Sequence, residues 1–181
     1  MIKQSNESMK YATFAGGCFW CIEPPFADVE GVILVMPGYT GGDQEGPTYE
    51  QVISGKTGHV EAVQIQYDEN KISYKELLDI FWRQIDPTDP QGQFADKGSQ
   101  YKTVIFFHDK NQKNMAEASK EALTKASVFK KPIVTEILPA KPFYEAEAYH
   151  HEYYKKKPLK YQSYKYHSGR ESFINKTWGK K

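Results

Sequence analysis

The sequence lacks several features that would assign it to a protein class at once. Its 181 residues contain only two cysteines, Cys18 and Cys21, and two thiols this close together cannot form the disulfide framework of a small secreted domain. No stretch approaches the roughly 20 consecutive apolar residues that a transmembrane helix needs, and the first ten residues lack the apolar segment of a secretory signal. We therefore expect a cytoplasmic protein without a membrane-spanning segment.

An excess of charge of one sign is also absent. The 24 Lys and Arg residues oppose 23 Asp and Glu residues, which leaves a formal charge of +1. Proteins that bind nucleic acid through its phosphates carry a basic excess, so no nucleic-acid partner is expected. Hydrophobic residues make up 39% of the chain and aromatic residues 14%, enough to build a core, which argues against wholesale disorder. The length predicts a single domain over residues 1–181, with 1–10 flexible and 158–181 an irregular C-terminal tail.

Hydrophobic periodicity predicts the order of helices and strands. In chain order we expect a strand at 11–15, a helix opening at 18–23 with a distorted turn at Pro24 and Pro25, a strand at 32–36, a loop from 37 to 58, a strand at 59–67, a helix at 73–85, an ordered loop at 86–100, a strand at 103–108, a helix at 110–126, a strand at 133–138 and a helix at 143–154. The residues expected to face inward from the 110–126 helix are Met115, Ala118, Ala122 and Leu123. This order predicts an α+β fold, a ferredoxin-like α/β sandwich with a mixed sheet.

Cys18 follows two glycines at a predicted helix N-terminus. Backbone N–H groups there favour an anion, so we expect a lowered thiol pKa and a nucleophilic thiolate. The alternative is a small buried hydrophobic side chain. Cys21 lies one helical turn further on, as in Cys-x-x-Cys redox pairs. A zinc site would need two more ligands, and no second cysteine pair exists, so no metal is expected.

Glu61 interrupts the apolar face that Val63, Ile65 and Tyr67 form on the 59–67 strand. Burial would raise the pKa of this carboxyl and make it a general acid near neutral pH. In the alternative, the strand lies at a sheet edge and Glu61 points to water.

Seven ordered motifs resemble those of the peptide methionine sulfoxide reductase A family, over roughly residues 10–161. They are Gly16-Gly17-Cys18-Phe19-Trp20, Gly38-Tyr39-Thr40-Gly41-Gly42, Pro47-Thr48-Tyr49, Thr57-Gly58-His59-Val60-Glu61-Ala62-Val63, Phe81-Trp82 with Asp86-Pro87, Asp96-Lys97-Gly98-Ser99-Gln100-Tyr101, and Phe143-Tyr144 with Glu147 and His150.

The resemblance implies an enzyme that reduces the S epimer of methionine sulfoxide, free or in proteins, and so repairs oxidative damage. It implies no metal or organic cofactor, thioredoxin as reductant, and we expect a monomer. The implied catalytic residues are Cys18 as nucleophile, Glu61 as proton donor to the sulfoxide oxygen, and Tyr49 and Tyr101 as hydroxyls that bind this oxygen. The implied substrate-binding residues are Phe19 and Trp20, which form the wall around the methyl group, with Asp96, His150 and Tyr153 lining the same site.

The chain departs from much of the family at its recycling cysteines. Many members carry them in the C-terminal tail, but here Gln162 follows Tyr161 and no cysteine occurs after Cys21. We therefore assign Cys21 as the resolving thiol by elimination. Two other functions stay open: a disulfide oxidoreductase that uses Cys18 and Cys21 on protein thiols, and a peptide-binding module that recognises methionine.

Overall fold

The computed structural model describes residues 8–179. The strands are β1 Met9–Gly16, β2 Val32–Thr40, β3 Val60–Asp68, β4 Gly92–Gln93, β5 Asp96–Lys97, β6 Thr103–Phe107, β7 Glu136–Pro139 and β8 Tyr144–Glu145. The helices are α1 Phe19–Ile22, α2 Pro24–Ala27, α3 Tyr49–Ile53, α4 Tyr74–Trp82, α5 Lys110–Lys125, α6 Tyr153–Lys156, α7 Pro158–His167 and α8 Arg170–Trp178. Short 3-10 turns occur at Ser99–Tyr101 and Ala148–His150. Within the described residues, no helix combines the length and the apolar character needed to cross a membrane.

A six-stranded sheet in the order β7-β6-β1-β3-β2-β8 forms the centre of the fold. The four inner strands pair antiparallel as β6-β1-β3-β2, with α1 and α2 between β1 and β2 and α4 between β3 and β6. This is the split β-α-β arrangement of ferredoxin-like folds. β7 joins β6 in parallel after the crossover helix α5, which makes the sheet mixed. The predicted α+β class and ferredoxin-like sandwich are therefore confirmed.

The second strand is longer than its sequence predicts. We expected a loop from residue 37, but β2 continues through Pro37 to Thr40 and pairs with β3 throughout this extension. The carbonyl of Pro37 accepts a hydrogen bond from the Ala146 N–H at 2.9 Å, so the missing proline N–H faces the outer edge and costs the β3 pairing nothing. A Cβ on Gly38 would lie 2.4 Å from the Tyr144 carbonyl oxygen. Glycine is therefore required where β8 approaches.

The predicted helix at 73–85 forms as α4, with both halves of its capping box. Ser73 Oγ accepts a hydrogen bond from the Glu76 N–H, and the Glu76 carboxylate accepts one from the Ser73 N–H. The helix ends at Trp82, three residues earlier than predicted. The distorted turn predicted at Pro24 and Pro25 is also confirmed, because the region forms two single-turn helices, of which the second begins at Pro24.

The inward face of α5 differs from the predicted one. Two of the four predicted residues pack on the core, but Ala118 and Ala122 are exposed. Gln112 and Ala116 are the buried residues instead. The Gln112 amide donates a hydrogen bond to the Tyr11 carbonyl at 2.7 Å. Gln112 is therefore buried because its amide has a backbone partner, and a search for apolar periodicity does not predict a buried polar residue.

The C-terminal third departs most from the prediction. β7 begins at Glu136 rather than 133, and the predicted helix at 143–154 is replaced by β8, a 3-10 turn and α6. The segment expected to be irregular from 158 forms α7 and α8, which Gly169 separates with a φ of 87°. Its buried side chains are Tyr161, Ser168 and Arg170, so the two helices dock without an aliphatic repeat.

The chain ends fall partly outside the described residues. Residues 1–7 and 180–181 lie beyond them, so the predicted flexibility of 1–7 stays a prediction. Met9 and Lys10, which were also expected to be flexible, pair with β3 in the first strand. The expectation for residues 9–10 is therefore wrong.

Substitution of Phe14 by Ala should destabilise the fold by about 3–5 kcal/mol, because it removes a large buried side chain and leaves a cavity. Phe14 is fully buried on β1 and stacks on the rings of Phe26, Tyr74 and Phe81. Urea denaturation measures the change. The control is Tyr11→Ala on the same strand, where the side chain is 45% exposed; equal losses in both variants would contradict this account of the core.

Candidate active site

A glycine turn at the end of β1 delivers both cysteines to one buried segment. Gly17 has a φ of 83°, and a Cβ there would lie 2.6 Å from the Cβ of Gln93. Glycine is therefore needed for both the backbone conformation and the close approach. Cys18 follows as the N-cap of α1, and Cys21 lies inside this single helical turn. The chain thus changes direction sharply and carries both thiols into the interior.

The two cysteines are reduced and interact with each other. Cys18 is 7% exposed and Cys21 is 2% exposed. The Cys21 N–H donates to the Cys18 carbonyl at 3.1 Å, and the two side chains affect each other's pKa in opposite directions. An intramolecular redox pair is thereby available, whereas a zinc site is not: among residues 8–179 no group of three or more His, Cys, Asp or Glu side chains could hold a metal ion.

The acidity of the two thiols is the reverse of the expected one. Burial raises the pKa of the Cys18 thiol, and its bond to Cys21 and the charge of Glu61 act in the same direction. The predicted low pKa of Cys18 is therefore wrong for the unliganded site. The reason is that α1 has only four residues and offers no side-chain cap bond, so desolvation outweighs any dipole effect. The pKa of Cys21 is lowered, chiefly by its hydrogen bond with Cys18 and further by the charges of Arg170 and Lys165. Burial acts in the opposite direction but does not prevail.

Glu61 lies beneath this segment on β3, between β1 and β2. It is 2% exposed, and its Oε2 accepts a hydrogen bond from the Phe19 N–H at 3.0 Å. Burial raises the pKa of this carboxyl to about 8, although the Phe19 N–H acts in the opposite direction. The predicted increase is confirmed, and the alternative of a water-facing residue on an edge strand is wrong because β3 is an inner strand.

Tyr49 and Tyr101 approach the same place from two different loops. Tyr49 is the first residue of α3, and its N–H donates to the Glu147 carboxylate at 3.2 Å. Tyr101 ends the 3-10 turn that follows the β4–β5 hairpin. Burial raises the pKa of Tyr49 to about 12 and that of Tyr101 further, and the charges of Glu61 and Cys18 raise both. Two neutral hydroxyls therefore lie within the electrostatic reach of the acid and the first thiol.

An aromatic wall adjoins the segment that carries the thiols. The rings of Trp20 and Tyr153 stack with centroids 3.8 Å apart, and Trp20 Nε1 donates to His150 Nδ1 at 3.0 Å. Phe19 packs on His150 with centroids 4.9 Å apart. Burial lowers the pKa of His150 to about 4, so this ring is a neutral acceptor. The wall is thus mainly aromatic; Trp20 Nε1 and His150 Nδ1 pair with each other, while the buried His150 Nε2 has no hydrogen-bond partner in the described residues.

Asp96 reaches the site from β5, and its partner was not predicted. The hydroxyl of Tyr164, on α7, donates to the Asp96 carboxylate, and the Tyr164 ring also meets Trp20 edge to face. Periodicity gave no indication of Tyr164, because its segment was expected to be irregular and the chain has 13 tyrosines. Glu147, which the sequence analysis gives only as part of a motif, also accepts a hydrogen bond from the Tyr39 hydroxyl at 3.1 Å.

The raised pKa of Glu61 makes a prediction about stability. The unfolded chain releases this proton above about pH 4.3, whereas the folded protein holds it until about pH 8. The free energy of unfolding should therefore fall from pH 5 to pH 8 in the wild type, relative to Glu61→Gln, by on the order of a few kcal/mol. Urea denaturation at several pH values tests this. The difference in free energy of unfolding between the two proteins removes the contribution of groups that titrate in both. If this difference did not change with pH, the prediction would be contradicted.

Comparisons with known proteins agree on one family. The family model described as peptide methionine sulfoxide reductase matches residues 10–181. The chain is 55% identical over 176 residues to peptide methionine sulfoxide reductase MsrA of Bacillus subtilis strain 168, covering 97% of this chain and 99% of that protein. It is 52% identical over 170 residues to MsrA 2 of Staphylococcus aureus strain MRSA252, covering 94% and 96%.

Solved structures agree with this result. Reduced Mxr1 from Saccharomyces cerevisiae superposes with a TM-score of 0.79 at 32% identity, over 87% of this chain and 91% of that one. Methionine sulfoxide reductase A of Corynebacterium diphtheriae gives a TM-score of 0.74 at 30% identity, over 86% and 78%. The resemblance inferred from the motifs is thereby confirmed. The chain belongs to the peptide methionine sulfoxide reductase family, and is an oxidoreductase that reduces methionine sulfoxide.

Proposed function

We propose that this chain reduces the S epimer of methionine sulfoxide, free or in proteins, by forming a sulfenic acid on Cys18 that Cys21 converts to a disulfide. The observation that carries the proposal is the buried Glu61 carboxyl, which stays protonated at neutral pH and is hydrogen-bonded to the segment that bears both thiols. The two thiols supply the two electrons, so the proposed reaction needs no organic cofactor or metal.

In the first step, Glu61 gives its proton to the sulfoxide oxygen while the Cys18 sulfur attacks the sulfoxide sulfur. The proton of the Cys18 thiol returns to the Glu61 carboxylate. The attack joins the Cys18 sulfur to the substrate sulfur. This S–S bond and the substrate S–O bond then both break as the hydroxyl moves to the Cys18 sulfur, which leaves Cys18 as S–OH and the substrate as the thioether. Cys18 is thereby oxidised by two electrons and the sulfoxide is reduced by two. A neutral Cys18 thiol in the unliganded site suits this order, because it becomes a nucleophile only when the substrate is present to accept the Glu61 proton.

Stereochemical selection follows from three different surroundings for one sulfur. The oxygen needs Glu61 with the hydroxyls of Tyr49 and Tyr101, the methyl group needs the wall of Phe19 and Trp20, and the attacking sulfur fixes the third direction. If all three positions are fixed in this way, only one of the two epimers at the pyramidal sulfur can bind productively. The assignment of that hand as S rests on the family resemblance, as does the lining role of Asp96, His150 and Tyr153.

In the second step, the Cys21 sulfur attacks Cys18 S–OH, an S–S bond forms, and the oxygen leaves as water. Thioredoxin then reduces the disulfide by thiol–disulfide exchange. We propose that the chain works in this way as a monomer in the cytoplasm, the compartment in which such thiols are kept reduced.

The two other candidate functions find less support. A general disulfide oxidoreductase needs only the two thiols and has no use for a buried carboxyl whose pKa is raised to about 8. A methionine-binding module has no use for a protonated carboxyl beside two reduced thiols. Both alternatives leave Glu61 without a role.

Substitution of Glu61 by Gln should slow single-turnover formation of methionine by about 10²–10⁴, or roughly 2.7–5.5 kcal/mol in barrier height. Glutamine keeps the shape and the acceptor for Phe19 N–H but loses the acid proton. Rapid-quench measurement of methionine gives the rate. The matched control is Glu23→Gln, since burial also raises the pKa of Glu23, to about 7, but its carboxylate accepts from the Glu152 N–H. A Glu61→Gln rate within threefold of wild type would sink the acid role.

Substitution of Cys21 by Ser should separate the two steps. The variant should still form about one methionine per enzyme, because Cys18 completes the first step alone, while steady turnover with thioredoxin should fall sharply. Dithiothreitol, a small thiol that can attack the sulfenic acid directly, should sustain turnover better. Cys18→Ser is the control and should form no methionine. Wild-type turnover of Cys21→Ser with thioredoxin would show that Cys21 is not the resolving thiol.

A further inference from the structure

Arg170 is a buried cation that the proposed function does not use. It is the first residue of α8, it is 1% exposed, and it is among the largest fully buried side chains of the described residues. Burying a guanidinium is costly unless charged or polar groups compensate. A charge retained inside the protein at this cost requires an explanation.

Carbonyl oxygens and an aromatic face hold the guanidinium. Nη2 donates to the Gly16 carbonyl at 3.0 Å and Nη1 to the Gln84 carbonyl at 2.6 Å, while the group lies 4.7 Å from the centroid of the Phe94 ring. Across residues 8–179, the ion pairs within 4.0 Å do not include Arg170. Two carbonyl dipoles and an aromatic ring stabilise the guanidinium without neutralising it, so the positive charge persists in the interior.

The backbone at Phe94 adopts an unfavourable conformation that brings its ring to this cation. Phe94 has a φ of 56°, in the left-handed region that bulky side chains rarely adopt. Such strain persists only where the surroundings impose it. The cation–π contact with Arg170 and an edge-to-face contact with Phe173 at 5.4 Å are the interactions made from this conformation.

The charge lies directly beside the turn that carries the thiols. Its anchor, Gly16, is the last residue of β1 and lies two positions before Cys18, and a Cβ on Gly17 would be 3.0 Å from Arg170 Nη2. The charges of Glu61 and Asp96 raise the pKa of the Cys18 thiol, and Asp96 acts on Cys21 in the same direction. After the bond from Cys18, Arg170 is the largest influence that lowers the pKa of Cys21.

We propose that Arg170 is a positioning residue for the second step, whose charge stabilises the Cys21 thiolate that attacks the Cys18 sulfenic acid. The inference rests on the proposed role of Cys21 as resolving thiol. Cys21 loses its proton and its sulfur forms the S–S bond, the S–O bond of Cys18 breaks, and the hydroxide takes up a proton to leave as water. Cys21 is oxidised by one electron equivalent and Cys18 is reduced by one.

The titration of Cys21 depends on groups from every surrounding element. The ionisable groups that interact with it are Cys18, Glu61 on β3, Asp96 on β5, Tyr161 and Tyr164 on α7, Lys165 on α7 and Arg170 on α8. The carboxyls oppose a Cys21 thiolate, and the two cations favour it. Arg170 is the fully buried one of the two cations, so solvent screens its effect least.

The test compares neutral and charged replacements of Arg170 in the full chain. Arg170→Met and Arg170→Gln remove the charge, and the Gln variant keeps an N–H donor for the Gly16 carbonyl, whereas Arg170→Lys keeps the charge. The matched control is Arg83→Met, since Arg83 is the only other arginine and also lies over an aromatic ring, Trp178 at 4.9 Å. After one equivalent of methionine sulfoxide is added, rapid quench gives methionine, and mass spectrometry follows the 18–21 disulfide from pH 6 to pH 9.5.

Relative to methionine formation, the disulfide step should be about tenfold slower at pH 7 in both neutral variants. Its pH midpoint should move up by about one unit, because a tenfold smaller thiolate fraction needs that much more alkaline a solution. Arg170→Lys and Arg83→Met should match wild type. Neutral variants with the wild-type rate and midpoint, or an Arg170→Lys variant as slow as they are, would overturn the proposal.

Two further measurements keep these outcomes distinct. If wild type forms no 18–21 disulfide, the resolving role of Cys21 fails, and the role of Arg170 fails with it; if the disulfide forms normally in every variant, only the role of Arg170 fails. Thermal melting checks folding. If both neutral variants unfold, Arg170→Lys carries the test, and a disulfide step about tenfold slower than wild type in this charged variant overturns the proposal.

Discussion

The hydrogen bond from the Phe19 N–H to the Glu61 carboxyl is the contact on which the site depends. It joins the short segment that bears both thiols to β3, an inner strand of the sheet. The bond exists only because Gly16 and Gly17 let the chain turn sharply after β1, and because Glu61 occupies an inner strand without reaching water. Burial disfavours the carboxylate form of Glu61 and so keeps the group protonated at neutral pH. The same buried residue therefore fixes the geometry of the site and supplies its acid.

The charges around the two thiols act on them differently. Glu61 and Asp96 disfavour the ionisation of Cys18, and Asp96 also disfavours that of Cys21, but Arg170 and Lys165 favour the ionisation of Cys21. Two sulfurs in one helical turn therefore differ in acidity although their sequence surroundings are almost the same. In our proposal this difference orders the reaction, because the first thiol becomes reactive only with substrate present and the second is prepared to follow it.

The C-terminal helices α7 and α8 contribute side chains to the site. Tyr164 binds Asp96 and touches Trp20, and Arg170 reaches the end of β1. Cys18 caps α1 and Cys21 lies within it, while the C-terminal helices supply aromatic cover and a buried charge. The helices α7 and α8 thus contribute to the electrostatics of a pair of cysteines about 140 positions earlier in the chain.

The sequence by itself determined the ferredoxin-like order of elements, the capping box of α4, the glycine turn before Cys18 and the anomalous Glu61, because each of these is a local pattern in spacing or residue type. It also determined the family through its motifs. It did not determine the extension of β2 through Pro37, the inward Gln112 or the helices beyond Pro158, since these depend on partners distant in the chain and on polar contacts that leave no apolar period. The acidity of Cys18 was decided by tertiary structure alone. A helix N-terminus predicts a thiolate, but complete burial beside two carboxyls favours the neutral thiol, and only the packed structure reveals that desolvation prevails.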